Sequence, residues 1–73
     1  MPLNPIPYRV AKQKLIAAGF AEVKQEGSHV KFAKSVEGGL RTAIVPKHGE
    51  VAVGTLRSIL RQAGLSVDEW EVL

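Results

Sequence analysis

The most regular feature of this sequence is an apolar stripe with the period of an α-helix. It lies in the second half of the chain, where apolar residues recur at positions i, i+3, i+4 and i+7, namely Leu56, Ile59, Leu60 and Ala63. This spacing predicts a helix that begins near Gly54-Thr55 and buries one side. Gly64 follows at the position where helices commonly end. A helix with one apolar side needs a second layer of structure to cover it.

The core of the protein has to come from packed secondary structure alone. The chain has 73 residues and no cysteine, so neither disulfides nor thiolate metal sites can stabilise it. Its 45% apolar content is typical of a globular protein, and we expect one domain over residues 1–73. No charged N-terminal segment precedes an apolar run, and no window approaches about 18 apolar residues. We therefore expect a soluble, unprocessed protein of the reducing cytoplasm, without membrane contact.

A first helix is predicted from Pro7 to Ala18. Its apolar stripe consists of residues at three- and four-residue spacing, namely Tyr8, Ala11, Leu15 and Ala18. Pro7 suits the first helical position because its fixed φ matches a helix, and Gly19 is the expected C-terminal cap. Residues 1–6 contain two prolines. They are predicted to form an extended lead-in that Leu3 or Ile6 attaches to the core.

Three segments between the helices have the alternation of β-strands. They are residues 20–25, 29–33 and 40–46. Glu26-Gly27-Ser28 supplies the first reversal, and residues 34–39 are predicted to be a loop in which Glu37-Gly38-Gly39 reverses the chain. The alternation of the third strand does not decide which side faces the core, because both sides contain apolar residues. Pro46 ends the pairing of this strand on at least one edge.

The C-terminal segment carries the signature of a short capped helix. Ser66-Val67-Asp68-Glu69 matches a capping box, and Leu65 and Trp70 are placed as its hydrophobic staple. We expect a final helical turn through Val72, with Trp70 docked on the domain. The order helix, three strands, helix, short helix predicts a two-layer α+β fold. In it, a three-stranded antiparallel sheet carries the two main helices on one face.

His29 is the strongest candidate for chemistry. Alternation puts the apolar residues of its strand on one side and His29 and Lys31 on the other, open side. An imidazole serves as general base or acid near neutral pH, and Lys31 can neutralise developing negative charge. N–H groups near Gly27 and Ser28 can hold a phosphate oxygen. An exposed strand histidine beside a lysine is also common on inert surfaces, so the residues by themselves do not assign catalysis.

A second group of candidates follows the third strand. Lys47 and His48 lie in the turn before the second helix, where His48 can contact phosphate or base, act as a second acid/base group, or simply bond its own backbone. Arg57 and Arg61 are one turn apart on the second helix and can contact phosphates, or can be ordinary solvated side chains. The net charge of +3 suits a polyanionic partner without requiring one.

Other common chemistries lack their sequence patterns. Two separated histidines without cysteine give no zinc-ligand spacing. The glutamates do not cluster with aspartates as a magnesium site would need. Neither a P-loop nor a dinucleotide fingerprint is present. We therefore predict no metal and no small-molecule cofactor.

Three stretches taken together resemble the HicA toxin family. They are Gly27-Ser28-His29 followed by Phe32, the turn Pro46-x-His48-Gly49-Glu50, and residues 54–66 with the sequence GTLRSILRQAGLS. No single stretch is specific, but their order and spacing in a chain of this length match the family over nearly the whole sequence. The proline-rich start and the Glu37-Gly38-Gly39 hairpin are the more variable parts.

The resemblance implies a double-stranded-RNA-binding-domain-like fold and the function of an mRNA interferase, the toxin of a type II toxin–antitoxin pair. It implies that His29 is the catalytic residue of an endoribonuclease and that a HicB-like antitoxin covers the His29 site. As a hypothesis for the mechanism, His29 removes the proton of a ribose 2′-OH, and His48 or water protonates the leaving oxygen. This scheme requires no metal, so we expect a metal-independent enzyme. The residues predicted to bind the mRNA substrate are Gly27, Ser28, Lys31, Lys47, His48 and Arg57.

Two other classes of function fit the same residues. One is a non-catalytic RNA-binding module with this fold. The start of the second helix lacks the lysine cluster that double-stranded-RNA-binding domains place there, which weighs against this class. The other is a protein-interaction subunit whose basic face serves an acidic partner.

Overall fold

Two helices cover one face of a three-stranded antiparallel sheet, as the order of elements predicts. The structure, a computed structural model, describes residues 3–73. The first two residues of the predicted lead-in, Met1 and Pro2, lie outside this part. The elements of residues 3–73 follow one another as β1 (Ile6–Pro7), α1 (Tyr8–Ala17), β2 (Ala21–Glu26), β3 (His29–Val36), β4 (Gly39–Pro46), β5 (Glu50–Val51), α2 (Val53–Ala63) and α3 (Val67–Glu71). The predicted α+β fold class is confirmed.

The main sheet is a meander in the order β2-β3-β4. The turn at Gly27-Ser28 pairs Glu26 with His29, and the register then runs without interruption to Lys24 opposite Lys31. A bulge between Glu22 and Lys24 shifts the register beyond that point. Gly27 has a φ of 56°, a left-handed conformation that glycine adopts without a steric cost. The tight turn therefore fixes which β2 side chains stand beside His29.

The second hairpin is longer than the sequence predicts. Residues 34–39 were expected to form a loop, but β3 continues to Val36, which pairs with Gly39 across the two turn residues Glu37 and Gly38. The prediction was wrong because these polar residues lack an apolar alternation. Lys34 nevertheless lies on the helix side of β3, where its Nζ donates a hydrogen bond of 2.7 Å to the carbonyl oxygen of Ala18.

A second, two-stranded sheet was not predicted. In it, β1 pairs with β5, so that Ile6 lies opposite Val51 and Pro7 opposite Glu50. Pro7 therefore precedes the helix as its N-cap residue, with a ψ of 149°, instead of occupying the first helical position. The N–H of Tyr8 donates to the carbonyl oxygen of Gly49 at 3.2 Å. These contacts tie the start of α1 to the segment that leads into α2.

The core lies between the helices and strands β3 and β4. The four residues of the predicted α2 stripe are all buried, and Ala11 and Leu15 of α1 join them. Ala43 and Val45 face this core while Ile44 faces outward, which resolves the ambiguity of the third strand. Leu3 is buried and Ile6 packs against the core, so both attach the lead-in as predicted.

Gln62 connects α2 to the outer edge of the sheet. Its Oε1 accepts a hydrogen bond of 3.1 Å from the backbone N–H of Ile44 in β4. Since β4 is the last strand of the sheet, this N–H has no strand partner. The helix layer therefore contacts the sheet at its edge as well as through the core.

The predicted capping box of α3 is present. The Ser66 hydroxyl accepts from the N–H of Glu69 at 3.0 Å, and Glu69 Oε1 accepts from the N–H of Ser66 at 2.8 Å. Trp70 is buried, and its carbonyl oxygen accepts a hydrogen bond of 2.9 Å from Lys14 Nζ. Lys14 Nζ also lies 5.6 Å from the centre of the Trp70 ring. The short helix is therefore docked on α1 as well as capped.

The capping box makes the stability of the domain depend on pH. Hydrogen bonds from the backbone N–H and the hydroxyl of Ser66 lower the pKa of Glu69. A carboxyl group with a lowered folded pKa stabilises the protein above its unfolded pKa of about 4.3, and this stability is lost as the pH falls through the folded pKa. We expect Glu69→Gln to lose less stability than the wild type between pH 7 and acid pH in urea denaturation.

Glu71→Gln is the matched control, because it removes the same charge from the same helix without a capping contact. It should follow the wild-type pH profile. Equal acid-limb slopes for Glu69→Gln and the wild type would contradict the role of the capping box.

Candidate active site

The side chains at the start of β3 alternate between exposed and buried positions, as the sequence predicts. Val30 and Phe32 are fully buried in the core, whereas His29 and Lys31 are exposed. The two exposed residues therefore lie on the outer face, which we define as the side of the β2-β3-β4 sheet that the helices do not cover. This placement leaves the imidazole of His29 open to a large substrate.

Cross-strand neighbours of His29 and Lys31 complete a shallow site on the outer face. His29 lies opposite Glu26, and Lys31 lies between Lys24 of β2 and Ile44 of β4. Residues directly opposite each other in an antiparallel sheet project to the same side. These five side chains line an open depression of about 140 Å³, which we call the outer-face depression. His29 therefore lies at the wall of an open depression and not inside a closed cavity.

The outer-face depression has an excess of positive charge. Lys24 Nζ lies 3.5 Å from Glu26 Oε2, and both side chains are largely exposed. Lys31 forms no ion pair or side-chain hydrogen bond within residues 3–73. An exposed pair such as Lys24–Glu26 contributes little stability and exchanges readily with other ions. The site is therefore suited to an anion that competes with one carboxylate.

The Gly27-Ser28 turn and the segment after β4 lie side by side. The backbone N–H of Lys47 donates a hydrogen bond to the carbonyl oxygen of Ser28. Lys47 Nζ lies 3.5 Å from Gln25 Oε1 and 5.9 Å from the centre of the Tyr8 ring. The structure thus brings the predicted residues of this turn, His29 and Lys47 together at one end of the sheet.

His48 and Arg57 are placed differently. His48 follows Lys47 in the same exposed segment, and its side chain makes no hydrogen bond or ion pair in the part of the chain that the structure describes. Arg57 is exposed on α2, in the helix layer that packs against the opposite side of the sheet. The structure therefore keeps His48 close to the turn and does not bring Arg57 into the outer-face depression.

Three residues that line the outer-face depression, Lys24, Glu26 and Ile44, are not among those predicted from the sequence. The signal for the first two was present, because a two-residue turn at Gly27-Ser28 sets Glu26 opposite His29 and, two residues further, Lys24 opposite Lys31. Ile44 was missed because the sequence left the orientation of β4 undecided. Among residues 3–73, no three side chains of His, Asp or Glu come together as metal ligands would.

A comparison with known protein families identifies the family of this chain. A family model described as the HicA toxin of bacterial toxin–antitoxin matches residues 9–65 of the 73-residue chain. The chain therefore belongs to the HicA toxin family, as the sequence motifs indicate. Membership supports the role of a toxin and implies a cognate antitoxin as partner. No curated protein matches the chain. No helix within residues 3–73 is long and apolar enough to span a membrane.

The exposure of His29 predicts that it can be replaced without unfolding the protein. Because its side chain makes no hydrogen bond in the described chain, His29→Ala should change the free energy of unfolding by less than about 0.5 kcal/mol. Phe32→Ala, on the buried side of the same strand, should cost roughly 3–5 kcal/mol. Chemical denaturation of both variants measures this difference. Comparable losses in the two variants would contradict the assigned orientation of β3.

Proposed function

We propose that this protein is an mRNA interferase, a metal-independent endoribonuclease that cleaves mRNA with His29 as the catalytic residue. The observation that carries the proposal is the exposed His29 at the wall of a basic depression, in a chain that belongs to the HicA toxin family. An open, positively charged face accepts an extended polyanion, whereas a closed pocket would not. Cleavage of mRNA then arrests translation and growth.

The proposed reaction is an internal transfer at one phosphodiester. His29 removes the proton of a ribose 2′-OH, and the 2′-oxygen attacks the adjacent phosphorus. The bond from the 2′-oxygen to phosphorus forms while the bond to the 5′-oxygen breaks. The products are a 2′,3′-cyclic phosphate and a 5′-hydroxyl end. The leaving 5′-oxygen takes its proton from His48 or from water.

The groups around the turn support the charged transition state. Lys31 lies on the same face of the sheet as His29. The backbone N–H of Lys47 donates a hydrogen bond to the carbonyl oxygen of Ser28. Gly27 has open space around it, because a side chain placed there would meet no atom within 4 Å. In the proposed scheme, backbone N–H groups of this turn hold a phosphate oxygen. Cations and N–H groups aimed at the developing charge lower the barrier, so the scheme needs no metal ion.

Replacement of His29 tests the catalytic assignment directly. Loss of a general base typically slows a reaction by about 10²–10⁴-fold, so His29→Ala should lose that much activity on single-stranded RNA in the presence of a chelator. It should still bind a 2′-O-methylated RNA of the same sequence. Wild-type cleavage should leave 2′,3′-cyclic phosphate ends, detected by mass spectrometry. A His29→Ala protein that cleaves as fast as the wild type would refute the assignment.

We further propose that the cognate partner is a HicB-like antitoxin that covers the outer face. This face carries exposed apolar residues beside its lysines, because Leu40 and Ile44 of β4 point away from the core. Leu40 is 67% exposed and lies opposite Ser35, near the far end of the sheet from His29. Exposed apolar side chains of this size are typical anchors for a protein partner. A partner seated on them excludes RNA from His29.

Leu40 separates antitoxin binding from RNA cleavage. Leu40→Asp should weaken inhibition by the cognate antitoxin at least about tenfold, because a buried carboxylate replaces an apolar contact. Its RNA cleavage without antitoxin should stay at the wild-type rate. Val72→Asp is the matched control, since Val72 is also apolar and exposed but lies in the C-terminal segment. Wild-type inhibition of Leu40→Asp would show that the antitoxin does not use this end of the outer face.

A further inference from the structure

Two lysines face each other in the outer-face depression without a structural reason. Lys24 and Lys31 are directly opposite each other on β2 and β3. Like charges at such positions destabilise a sheet. Within residues 3–73, Glu26 is the acidic residue paired with Lys24, at 3.5 Å, and Lys31 has no acidic partner. The arrangement costs stability in the free protein and is relieved by an anion bound between the two ammonium groups.

The position of this lysine pair is defined relative to His29. Lys31 is two residues from His29 on the same side of β3, an advance of about 6.6–6.8 Å along the strand. This step is comparable to the separation of neighbouring phosphates in an extended nucleotide chain. When one phosphate lies at His29, the next phosphate of the same strand therefore reaches the lysine pair. Ile44, opposite Lys31 on β4, adds an apolar surface for the intervening ribose or base.

We propose that Lys24 and Lys31 form a binding site for a second phosphate of single-stranded RNA, one nucleotide away from the phosphate that reacts at His29, with Lys31 also within reach of the reacting phosphate. The proposal rests on the proposed function, and it adds Lys24 as a residue that determines which substrates are cleaved efficiently. The site recognises the backbone phosphodiester and not the base. Two successive phosphates are then the minimal unit that fills the outer-face depression.

Glu26 controls access to the second phosphate site. Its carboxylate pairs with Lys24 in the free protein, so a phosphate has to displace it. Both groups are exposed, and the exchange of one ion for the other is inexpensive. Removing the carboxylate leaves Lys24 available to the phosphate. Glu26→Gln should therefore bind short RNA more tightly than the wild type, in contrast to substitutions of Lys24.

The site predicts a dependence of cleavage on substrate length. A dinucleoside monophosphate fills only the reacting position. Two further substrates carry one additional phosphate, one on the 5′ side of the dinucleotide and the other on the 3′ side. In one of the two, the additional phosphate reaches the lysine pair. One of these substrates should show a kcat/KM about tenfold higher than the unextended dinucleotide, the size expected for one charge-assisted contact.

The test compares Lys24→Gln with Lys12→Gln. Lys12 lies on α1, and its Nζ is 2.9 Å from Oε1 of Glu22 on β2. Lys12→Gln therefore removes the same charge as Lys24→Gln, but outside the outer-face depression. In Lys24→Gln the advantage of the extra phosphate should disappear, so that the kcat/KM values for the extended and unextended dinucleotides become about equal. In Lys12→Gln the advantage should remain. The salt dependence of binding to a 2′-O-methylated trinucleotide should fall by about 0.7 in slope for Lys24→Gln only.

The outcomes separate this proposal from the proposed function. RNA cleavage with the same phosphate advantage in Lys24→Gln and the wild type overturns the second phosphate site and leaves the nuclease intact. A wild-type protein that cleaves no RNA overturns the nuclease, and binding of the 2′-O-methylated trinucleotide then decides the site. Weaker binding in Lys24→Gln but not in Lys12→Gln supports it, and equal binding in the two variants overturns it.

Discussion

Burial of Val30 and Phe32 beneath the helices determines where every other residue of β3 points. Both side chains are fully enclosed, and they meet the buried stripe of α2 in the same core. Because successive strand residues alternate between faces, this packing directs His29 and Lys31 outward. A slip of one residue would bury the imidazole and expose two large apolar groups. The chemistry of the outer face therefore depends on packing on the inner one.

The tight turn at Gly27-Ser28 sets the register of β2 against β3, so it also determines which β2 side chains lie on the outer face. Since only two residues separate β2 from β3, Glu26 and Lys24 have no freedom to choose their partners. The turn thus selects a carboxylate to stand beside His29 and a second lysine beside Lys31. The bulge lies beyond Lys24, so it leaves this part of the register undisturbed. A single glycine conformation accordingly fixes the charge distribution of the depression.

Local patterns in the sequence were sufficient for the elements that have a period or a cap. The α2 stripe and the Ser66–Glu69 capping box were predicted because each signal lies within a few consecutive residues. The β1–β5 pair was not predictable in this way, since two-residue strands have no alternation and their partners lie far apart in the chain. The last residues of β3 were missed because their polar composition is typical of loops. Their strand conformation depends on pairing with β4.

In the candidate site, too, the features that depend on one strand were predicted, and those that depend on pairing between strands were not. The exposure of His29 and Lys31 follows from alternation within one strand and was predicted correctly. Lys24 and Glu26 become neighbours of these residues only through the hairpin register, and Ile44 only through the orientation of β4. For Arg57 the position on α2 was predicted correctly, but its distance from the depression was not. That distance depends on the face of the sheet against which α2 packs.

The contact between Gln62 and Ile44 has a consequence for how this protein behaves at high concentration. An unpaired sheet edge invites the edge of a second molecule and promotes aggregation. On β4 the N–H of Ile44 is already occupied by Gln62, and Pro46 has no N–H to offer. The opposite edge, β2, is interrupted by its bulge. The Gln62 contact on one border and the bulge on the other therefore make part of each border less suitable for intermolecular strand pairing.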